Sequence, residues 1–404
     1  MIKKVTISRL LPGMYLHDLN IGWMDHPFMR NQFKISSEDE IAQIAGLGVH
    51  EIYIDTDRGL DVCDAPTADE VKAAIEVEMA RTADAPHPAR MSRSEEMTRA
   101  KVIHREANKV VRAMLNDVRL GQAVRLEQAE EVVEAITGSI LRNDSALIGL
   151  GGIKNKDEYT FQHSVSVCTL LVAFAQSHGM DATSIRLAGI GGLLHDAGKM
   201  KVPDAILNKP GKYTDEEFAI MKAHPEEGEK ILLNIPDIHA VSIDIAAHHH
   251  ERYDGSGYPR QRAGEELSEF ARMAAIVDVY DAITSTRCYH RGMPAAEGLR
   301  KLWEWSKFHF DPKLVQDFIR TVGIYPVGSL VKLESGRLAV VLEQNETSRL
   351  TPYVKAVFST RSNTYIQPLL IDLARPMGHG GGDRILGYED PAKWKIDTAQ
   401  YLQA

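Results

Sequence analysis

Apolar side chains recur three or four positions apart through the middle of the chain, which is the spacing of one face of an α-helix. In 95–120 this apolar stripe consists of Ile103, Ala107, Val110, Met114 and Val118. A second stripe occupies 127–141, and we expect the two helices to pack on each other. A seam between two copies of the chain, forming a homodimer, is the alternative that the same stripe allows.

From about 136 to 323 the helical spacing continues throughout. We expect helices over 164–177, 184–194, 215–233, 241–250, 269–283, 295–305 and 312–322. Thr214 and Glu217 form a capping box at the start of one of them. So many successive helices predict an all-α bundle, a fold that can hold metal ions between facing helices.

The two ends of the chain alternate between apolar and polar residues, as half-buried strands do. Near the N-terminus, 2–7 and 49–54 flank a short helix that begins with a Ser37 and Glu40 capping box, which predicts a small α+β module. Near the C-terminus, 329–333 and 337–342 flank a Ser335-Gly336 turn, and 353–358 continues the pattern. We expect a small β barrel or sheet there.

These patterns predict a multidomain chain, because three types of periodicity follow one another. We place an α+β regulatory module at 1–81, a linker at 82–92 that contains Pro86 and Pro88, connecting helices at 93–135, the all-α core at 136–323 and a β-rich segment at 324–404. We expect the catalytic chemistry to lie in the all-α core.

The amino-acid composition argues against several classes of protein. The 404 residues are 44% hydrophobic and 25% charged, and the net charge of −9 argues against a nucleic-acid partner. The three cysteines are too scattered for a disulfide framework or a cysteine zinc site. With no signal peptide and no run of about 18 apolar residues, we expect a cytoplasmic protein that does not contact a membrane.

Candidate chemistry centres on the dipeptide His195-Asp196, which follows an apolar run. An imidazole and a carboxylate side by side can bind one metal ion, and a carboxylate can be shared with a second. A helix end capped by the aspartate is the alternative. Further candidates recur elsewhere in helical settings, and we expect a metal to satisfy the ring nitrogens of the histidines among them: His163, His224, the run His248-His249-His250, and Asp278.

The motifs resemble those of HD-type hydrolases and, more closely, of the HD-GYP family of cyclic di-GMP phosphodiesterases. The resemblance rests on Tyr159-Thr-Phe-Gln-His163, His195-Asp196-Ala-Gly-Lys199, Ile206-Leu-Asn-Lys-Pro-Gly211, His224-Pro225-Glu-Glu-Gly228, His249-His250-Glu251, Asp254-Gly-Ser-Gly257-Tyr258-Pro259 and Asp278-Val-Tyr-Asp281. These motifs occur in the order that the family has. The resemblance therefore implies an HD-type helical bundle as the catalytic core.

The resemblance also implies two divalent transition metal ions. One would be held by His163, His195, Asp196 and Asp278, and the other by His224, His249 and His250, with Asp196 between them. Iron or manganese is expected from the family, and nickel or zinc also suits imidazole and carboxylate ligands. Some family members bind a third metal through a carboxylate one turn before the first histidine. Tyr159 occupies that position in this chain, so we expect two metals. His248 is the extra member of its triplet and is expected not to be a ligand.

Other roles follow from position beside these ligands or from the same resemblance. Lys199, close to the catalytic Asp196, is expected to bind a substrate phosphate. Arg287 and Arg291 are expected to bind the phosphate or the base region of the substrate. Asp281 is expected to orient Lys199 or a ligand histidine, and a surface capping residue is the alternative. The loop Gly257-Tyr258-Pro259 is expected to be structural and is a candidate contact for diguanylate cyclase domains.

We therefore expect a phosphodiesterase that hydrolyses cyclic di-GMP to the linear dinucleotide pGpG, with further hydrolysis to GMP left open. Two cations that share a water would generate the attacking hydroxide. Two alternatives stay open from the sequence. One is a catalytically weak receptor or scaffold that binds cyclic dinucleotides, and the other is an HD hydrolase of another nucleotide, such as a hybrid cyclic dinucleotide.

Overall fold

The structure is a computed structural model that describes residues 1–21, 32–82, 91–151, 159–209, 211–285, 292–345, 348–375 and 382–402. It divides the chain into two compact units. One comprises Met1–Glu78 with Asp204–Met221, and the other comprises Met79–Pro203 with Lys222–Ala404. None of the described helices combines the length and apolar character that a membrane span requires.

The described helices are, in chain order, α1 Glu38–Ala45, α2 Ala68–Thr82, α3 Arg93–Arg119, α4 Leu126–Arg142, α5 Asp144–Gly151, α6 Tyr159–Ser177, α7 Ala182–Leu194, α8 Asp204–Leu207, α9 Asp215–Lys222, α10 His224–Leu232, α11 Ala240–His248, α12 Glu269–Thr284, α13 Ala295–Trp305, α14 Pro312–Val322, α15 Pro391–Trp394 and α16 Ala399–Leu402. The strands are β1 Ile2–Thr6, β2 Tyr15–Asp18, β3 Phe33–Lys34, β4 Glu51–Asp55, β5 Leu330–Leu333, β6 Arg337–Glu343, β7 Tyr353–Ser359, β8 Thr364–Asp372 and β9 Ile385–Tyr388.

The first unit contains a four-stranded antiparallel sheet in the order β1-β4-β2-β3. Alternation along β4 buries Ile52 and Ile54 in an apolar core that also receives Ile44 from α1. Helix α1 begins as its capping box predicts, because the backbone N–H of Glu40 donates to Oγ of Ser37 over 3.3 Å. The small α+β module expected at the N-terminus is confirmed.

The second unit contains the predicted all-α bundle. Its longest helix, α3, buries Val111 and Leu115 together with Met114, so the buried stripe is rotated slightly from the predicted one. Glu96, near the start of α3, is fully buried and accepts hydrogen bonds at 2.7 and 2.8 Å from Arg142 of α4. These contacts pair α3 with α4. A homodimer seam on α3 stays a prediction.

Helix boundaries near the histidines differ from the prediction. The single helix expected over 215–233 is wrong, because α9 ends at Lys222 and α10 begins at His224. Pro225 lies in the first turn of α10, where a missing backbone N–H is tolerated, although it would break a continuous helix. Helix α11 ends at His248, two residues earlier than expected. Helix α5 was not predicted.

The C-terminal strands form an open five-stranded antiparallel sheet in the order β8-β7-β6-β5-β9, of which β8 and β9 were not predicted. Glu343 of β6 ties the sheet to the bundle, since its Oε1 accepts from Arg93 N at 2.9 Å and Asn143 Nδ2 at 2.6 Å. Arg349 adds an ion pair with Asp144 at 3.2 Å. The predicted multidomain fold class is confirmed, and the exact domain boundaries stay predictions.

Candidate metal centre

The dipeptide His195-Asp196 lies where α7 gives way to a 3-10 turn over Ala197–Lys201. His195 is the C-cap residue of α7, and both side chains are fully buried. Asp196 precedes the 3-10 turn, but its side chain caps no backbone N–H there. The capping alternative is therefore wrong, and the buried carboxylate must find other partners.

The other candidate ligands approach this dipeptide from three helices and from the residues that follow a fourth. His163 comes from the first turns of α6, His224 from the first residue of α10, Asp278 from α12, and His249 and His250 from the residues that follow α11. Three groups have ligand atoms within 4.8 Å of one another: His163 with His195 and Asp278, His195 with Asp196 and His249, and His224 with His249 and His250. All seven residues named for metal binding thus meet in one cluster.

Asp196 lies between two pairs of imidazoles. Its Oδ2 is 3.3 Å from Nε2 of His195 and 3.6 Å from Nε2 of His163. Its Oδ1 is 3.4 Å from Nε2 of His224 and 3.7 Å from Nε2 of His249. Each carboxylate oxygen therefore faces a different pair of rings.

Three of these rings are held by an acceptor on the side away from the cluster. His195 Nδ1 lies 2.7 Å from the carbonyl of Gly192, and His249 Nδ1 lies 3.0 Å from the carbonyl of Ala246. A carbonyl can only accept, so each Nδ1 must carry a proton, and in the neutral ring each Nε2 presents a lone pair to the cluster. His163 Nδ1 has a carboxylate acceptor instead, Oδ2 of Asp281 at 2.6 Å.

Burial also favours the neutral form of the rings. Together with the neighbouring His195 and His224, it lowers the pKa of His249 to about 3. Burial likewise lowers the pKa of His250 well below its ordinary value, with His249 adding to the shift. Both imidazoles are therefore neutral near pH 7, which is the form that binds a metal.

The carboxylates behave in the opposite way. Burial by itself raises the pKa of Asp196, but His195 and Lys199 outweigh it and hold that pKa well below the ordinary range. Burial by itself also raises the pKa of Asp278, but the hydrogen bond from His163 and the charges of the neighbouring imidazoles together hold that pKa well below its usual value. For His195, burial lowers the pKa, but Asp196 and Asp278 together outweigh burial and raise it. The cluster combines ionised carboxylates with imidazoles.

Two buried atoms test whether a metal ion fits this cluster. Nε2 of His195 and Oδ1 of Asp196 are inaccessible to water and have no hydrogen-bond partner among the described residues. Buried polar atoms are nearly always hydrogen-bonded, so each such atom needs an explanation. Imidazole nitrogen and carboxylate oxygen are both ligands of divalent transition metals. The cluster is therefore compatible with divalent metal binding.

The remaining predicted site residues lie at different distances from the cluster. Lys199 donates from Nζ to Oδ2 of Asp196 at 2.7 Å, and its side chain keeps 20% of its surface exposed. Tyr258 stacks on the ring of His250, with centroids 4.7 Å apart. Arg287 and Arg291 lie outside the described residues. His248 is outside the cluster, since its Nδ1 bonds Asp244 Oδ1 at 2.9 Å.

Sequence reasoning gave no role to Gly198, which lets two segments that carry candidate ligands approach each other. A Cβ on Gly198 would lie 1.9 Å from the carbonyl oxygen of His224 and 2.5 Å from the backbone nitrogen of Gly228. Only glycine fits such a contact between the 3-10 turn and α10. Both glycines lie within the motifs His195-Asp-Ala-Gly and His224-Pro-Glu-Glu-Gly, which was the available signal.

Comparison with known proteins adds independent observations. A family model described as an HD domain matches residues 152–314, and one described as a domain of unknown function, DUF3391, matches residues 2–129. A cyclic di-GMP phosphodiesterase of Pseudomonas aeruginosa is 44% identical over 397 residues, which is 98% of this chain and 94% of that protein.

Two further similarities are more distant. A 3'3'-cGAMP-specific phosphodiesterase of Vibrio cholerae is 34% identical over 165 residues, covering 41% of this chain and 32% of that protein. The solved structure of an HDG"Y"P protein from Bdellovibrio bacteriovorus aligns with a TM-score of 0.47 at 20% identity, covering 79% of this chain and 98% of that one. Since the Pseudomonas relative matches nearly the whole length of both chains, this chain belongs to the HD-GYP family of cyclic di-GMP phosphodiesterases.

Proposed function

We propose that this chain hydrolyses a phosphodiester bond of cyclic di-GMP to give linear pGpG, with the buried His and Asp cluster as a binuclear metal centre. The observation that carries the proposal is the position of Asp196, whose two oxygens face separate pairs of imidazoles. A carboxylate placed in this way is suited to lie between two cations. The name of the full-length Pseudomonas relative supports the choice of substrate.

The proposed ligands divide into two sets. His163, His195, Asp196 and Asp278 would hold one ion, and His224, His249 and His250 the other, with Asp196 shared. The absence of thiolate from both sets fits iron or manganese, which we infer as the metals. When bound, such ions lower the pKa of water and neutralise phosphate charge.

The protein residues then bind and orient the substrate. Lys199, whose ammonium lies 2.7 Å from Oδ2 of Asp196 and is partly exposed, is placed to bind a phosphate oxygen next to the shared carboxylate. Asp281 keeps the His163 ring in position from the other side. Arg287 and Arg291 are proposed to contact the phosphate or base region.

The test is an assay of the purified full chain with cyclic di-GMP after loading with manganese or ferrous iron, beside an Asp196→Asn variant. Bound metal is counted by mass spectrometry, and products are separated by chromatography. We expect about two ions per chain and turnover in the parent, and loss of turnover by roughly 10³-fold or more in the variant. Turnover that persists in the variant contradicts the proposal.

Product identity and competing substrates are measured in the same assay. Accumulation of pGpG with slow release of GMP is the expected course, and 3'3'-cGAMP serves as the comparison substrate because distant relatives carry that name. Cyclic di-GMP bound tightly without hydrolysis, by metal-loaded parent protein, would instead support a receptor. Contact of the Gly257-Tyr258-Pro259 loop with a diguanylate cyclase domain and formation of a homodimer stay predictions, measurable by pull-down and light scattering.

A further inference from the structure

His250 is held differently from three other histidines of the cluster. The rings of His163, His195 and His249 each have a hydrogen-bond acceptor at Nδ1. No hydrogen bond reaches the His250 ring from any residue that the structure describes, and 21% of its side chain is exposed. A ligand histidine usually owes its orientation to a partner on the ring nitrogen that does not face the metal. His250 needs another restraint.

The ring of Tyr258 supplies a contact of that kind. It stacks on the imidazole of His250 with centroids 4.7 Å apart and an interplanar angle of 24°. The ammonium of Lys222 lies 5.5 Å from the centroid of the Tyr258 ring. Offset stacking of two rings limits rotation about the bonds of the smaller side chain.

The loop that carries Tyr258 is fixed to the chain just after α11. A Cβ on Gly257 would lie 2.3 Å from the backbone nitrogen of Arg252, so this approach requires glycine. The N–H of Tyr258 donates to the carbonyl of His250 at 3.1 Å. The N–H of Arg260 donates to Oε1 of Glu251 at 2.7 Å. The loop and the ligand segment therefore form one local unit.

A side chain after the loop strengthens this attachment. Arg260 Nη1 lies 3.1 Å from Nε2 of His248, and the Arg260 guanidinium also pairs with Glu229 of α10. His248 in turn bonds Asp244 within α11. The loop is thus anchored to the two helices next to the ligands His224 and His249.

We propose that Tyr258 is a positioning residue, whose ring holds the His250 imidazole with Nδ1 directed into the cluster. Nδ1 of His250 lies 3.8 Å from Oδ2 of Asp278, on the side where the candidate ligand atoms meet. This inference rests on the proposed function, because it requires that the cluster binds metal. Tyr258 would then support metal binding within its own chain, and it would do so through its ring and not through its hydroxyl.

The experiment compares Tyr258→Phe and Tyr258→Leu with Tyr253→Leu, a matched change in the same region. Tyr253 donates its hydroxyl to Glu265 instead of stacking on a ligand. Manganese binding is titrated by calorimetry, cobalt-loaded protein is examined by visible absorption, and circular dichroism monitors folding. We expect Tyr258→Leu to bind one of two ions about tenfold more weakly and to change the cobalt spectrum. Tyr258→Phe and Tyr253→Leu should match the parent.

Each other outcome contradicts the inference in a distinct way. If Tyr258→Leu binds both ions like the parent, the ring does not position His250. If Tyr258→Phe is as weak as Tyr258→Leu, the hydroxyl is responsible. A parent protein that binds no manganese contradicts the metal centre itself, so failure of the proposed function is recognised before any variant is compared.

Discussion

The carboxylate Oδ2 of Asp281 lies 2.6 Å from Nδ1 of His163, and both side chains are buried. Asp281 is one turn after Asp278 on α12, and Oδ1 of Asp278 lies 2.9 Å from the other nitrogen of the same ring. One helix therefore contacts both nitrogens of His163. A role for Asp281 as a surface capping residue is inconsistent with its burial, since only 5% of its surface is exposed.

Replacing Asp281 with alanine should weaken metal binding by about 10- to 100-fold, because the His163 ring loses the acceptor that fixes its tautomer and orientation. Metal affinity is measured by competition with a chelating dye. Asp317→Ala is the matched control, since Asp317 Oδ2 makes a similar 3.1 Å contact with Nδ1 of His178 away from the cluster. Equal affinity in both variants would contradict the role of Asp281.

Adjacent histidines should respond differently to the same change. His249→Gln removes a proposed ligand and should lower the bound metal from about two ions per chain to one or fewer. His248→Gln should retain both, because His248 points to Asp244 and Arg260 instead of the cluster. Mass spectrometry of the purified variants counts the metal. Loss of an ion in the His248 variant would show that the ligand assignment is wrong.

Gly198→Ala should destabilise the protein and reduce metal uptake together. The added Cβ would lie 1.9 Å from the carbonyl oxygen of His224, so the 3-10 turn and α10 must separate. Overpacking of this kind costs about 1–3 kcal/mol of unfolding free energy. Denaturant unfolding measures the loss. Gly387→Ala is the control, because among the described residues no atom beyond its chain neighbours lies within 4 Å of the added Cβ, and it should unfold like the parent.

Glu343 predicts a pH dependence of stability. Burial raises its pKa, so the folded protein holds this proton more tightly than the unfolded chain does. The stability contributed by the group is therefore largest below the unfolded value of about 4.3 and is lost as pH rises through the folded pKa. The stability of Glu343→Gln relative to the parent should therefore increase as the pH rises from 4 to 7.

Thermal unfolding of metal-free protein across that pH range provides the measurement. The amide keeps an oxygen that can accept from Arg93 N and Asn143 Nδ2, so the packing between sheet and helices is retained. Glu334→Gln, at an exposed position that pairs with Arg384, is the control for removing a charge from the same sheet. A constant difference between the Glu343 variant and the parent at all pH values would contradict the prediction.

Long segments with strong periodicity were predicted well. A helix that buries one face must repeat apolar residues at helical spacing, so the same burial that stabilises the helix also produces its sequence pattern. Helix α4 was expected at 127–141 and spans Leu126–Arg142, and α12 was expected at 269–283 and spans Glu269–Thr284. Prediction was poorest at positions where no apolar face is repeated. The break between α9 and α10 and the short strand β9 are local features that periodicity does not detect.

The sequence by itself determined the order of the modules and the residue types of the cluster, since motif spacing and apolar periodicity are properties of the linear chain. Only the tertiary structure decided which oxygen of Asp196 faces which imidazole, and that Asp281 contacts His163 while His248 points elsewhere. The residues that make these contacts come from different helices. Their side chains meet only when those helices pack, and the packing depends on close backbone approaches such as that of Gly198 to α10.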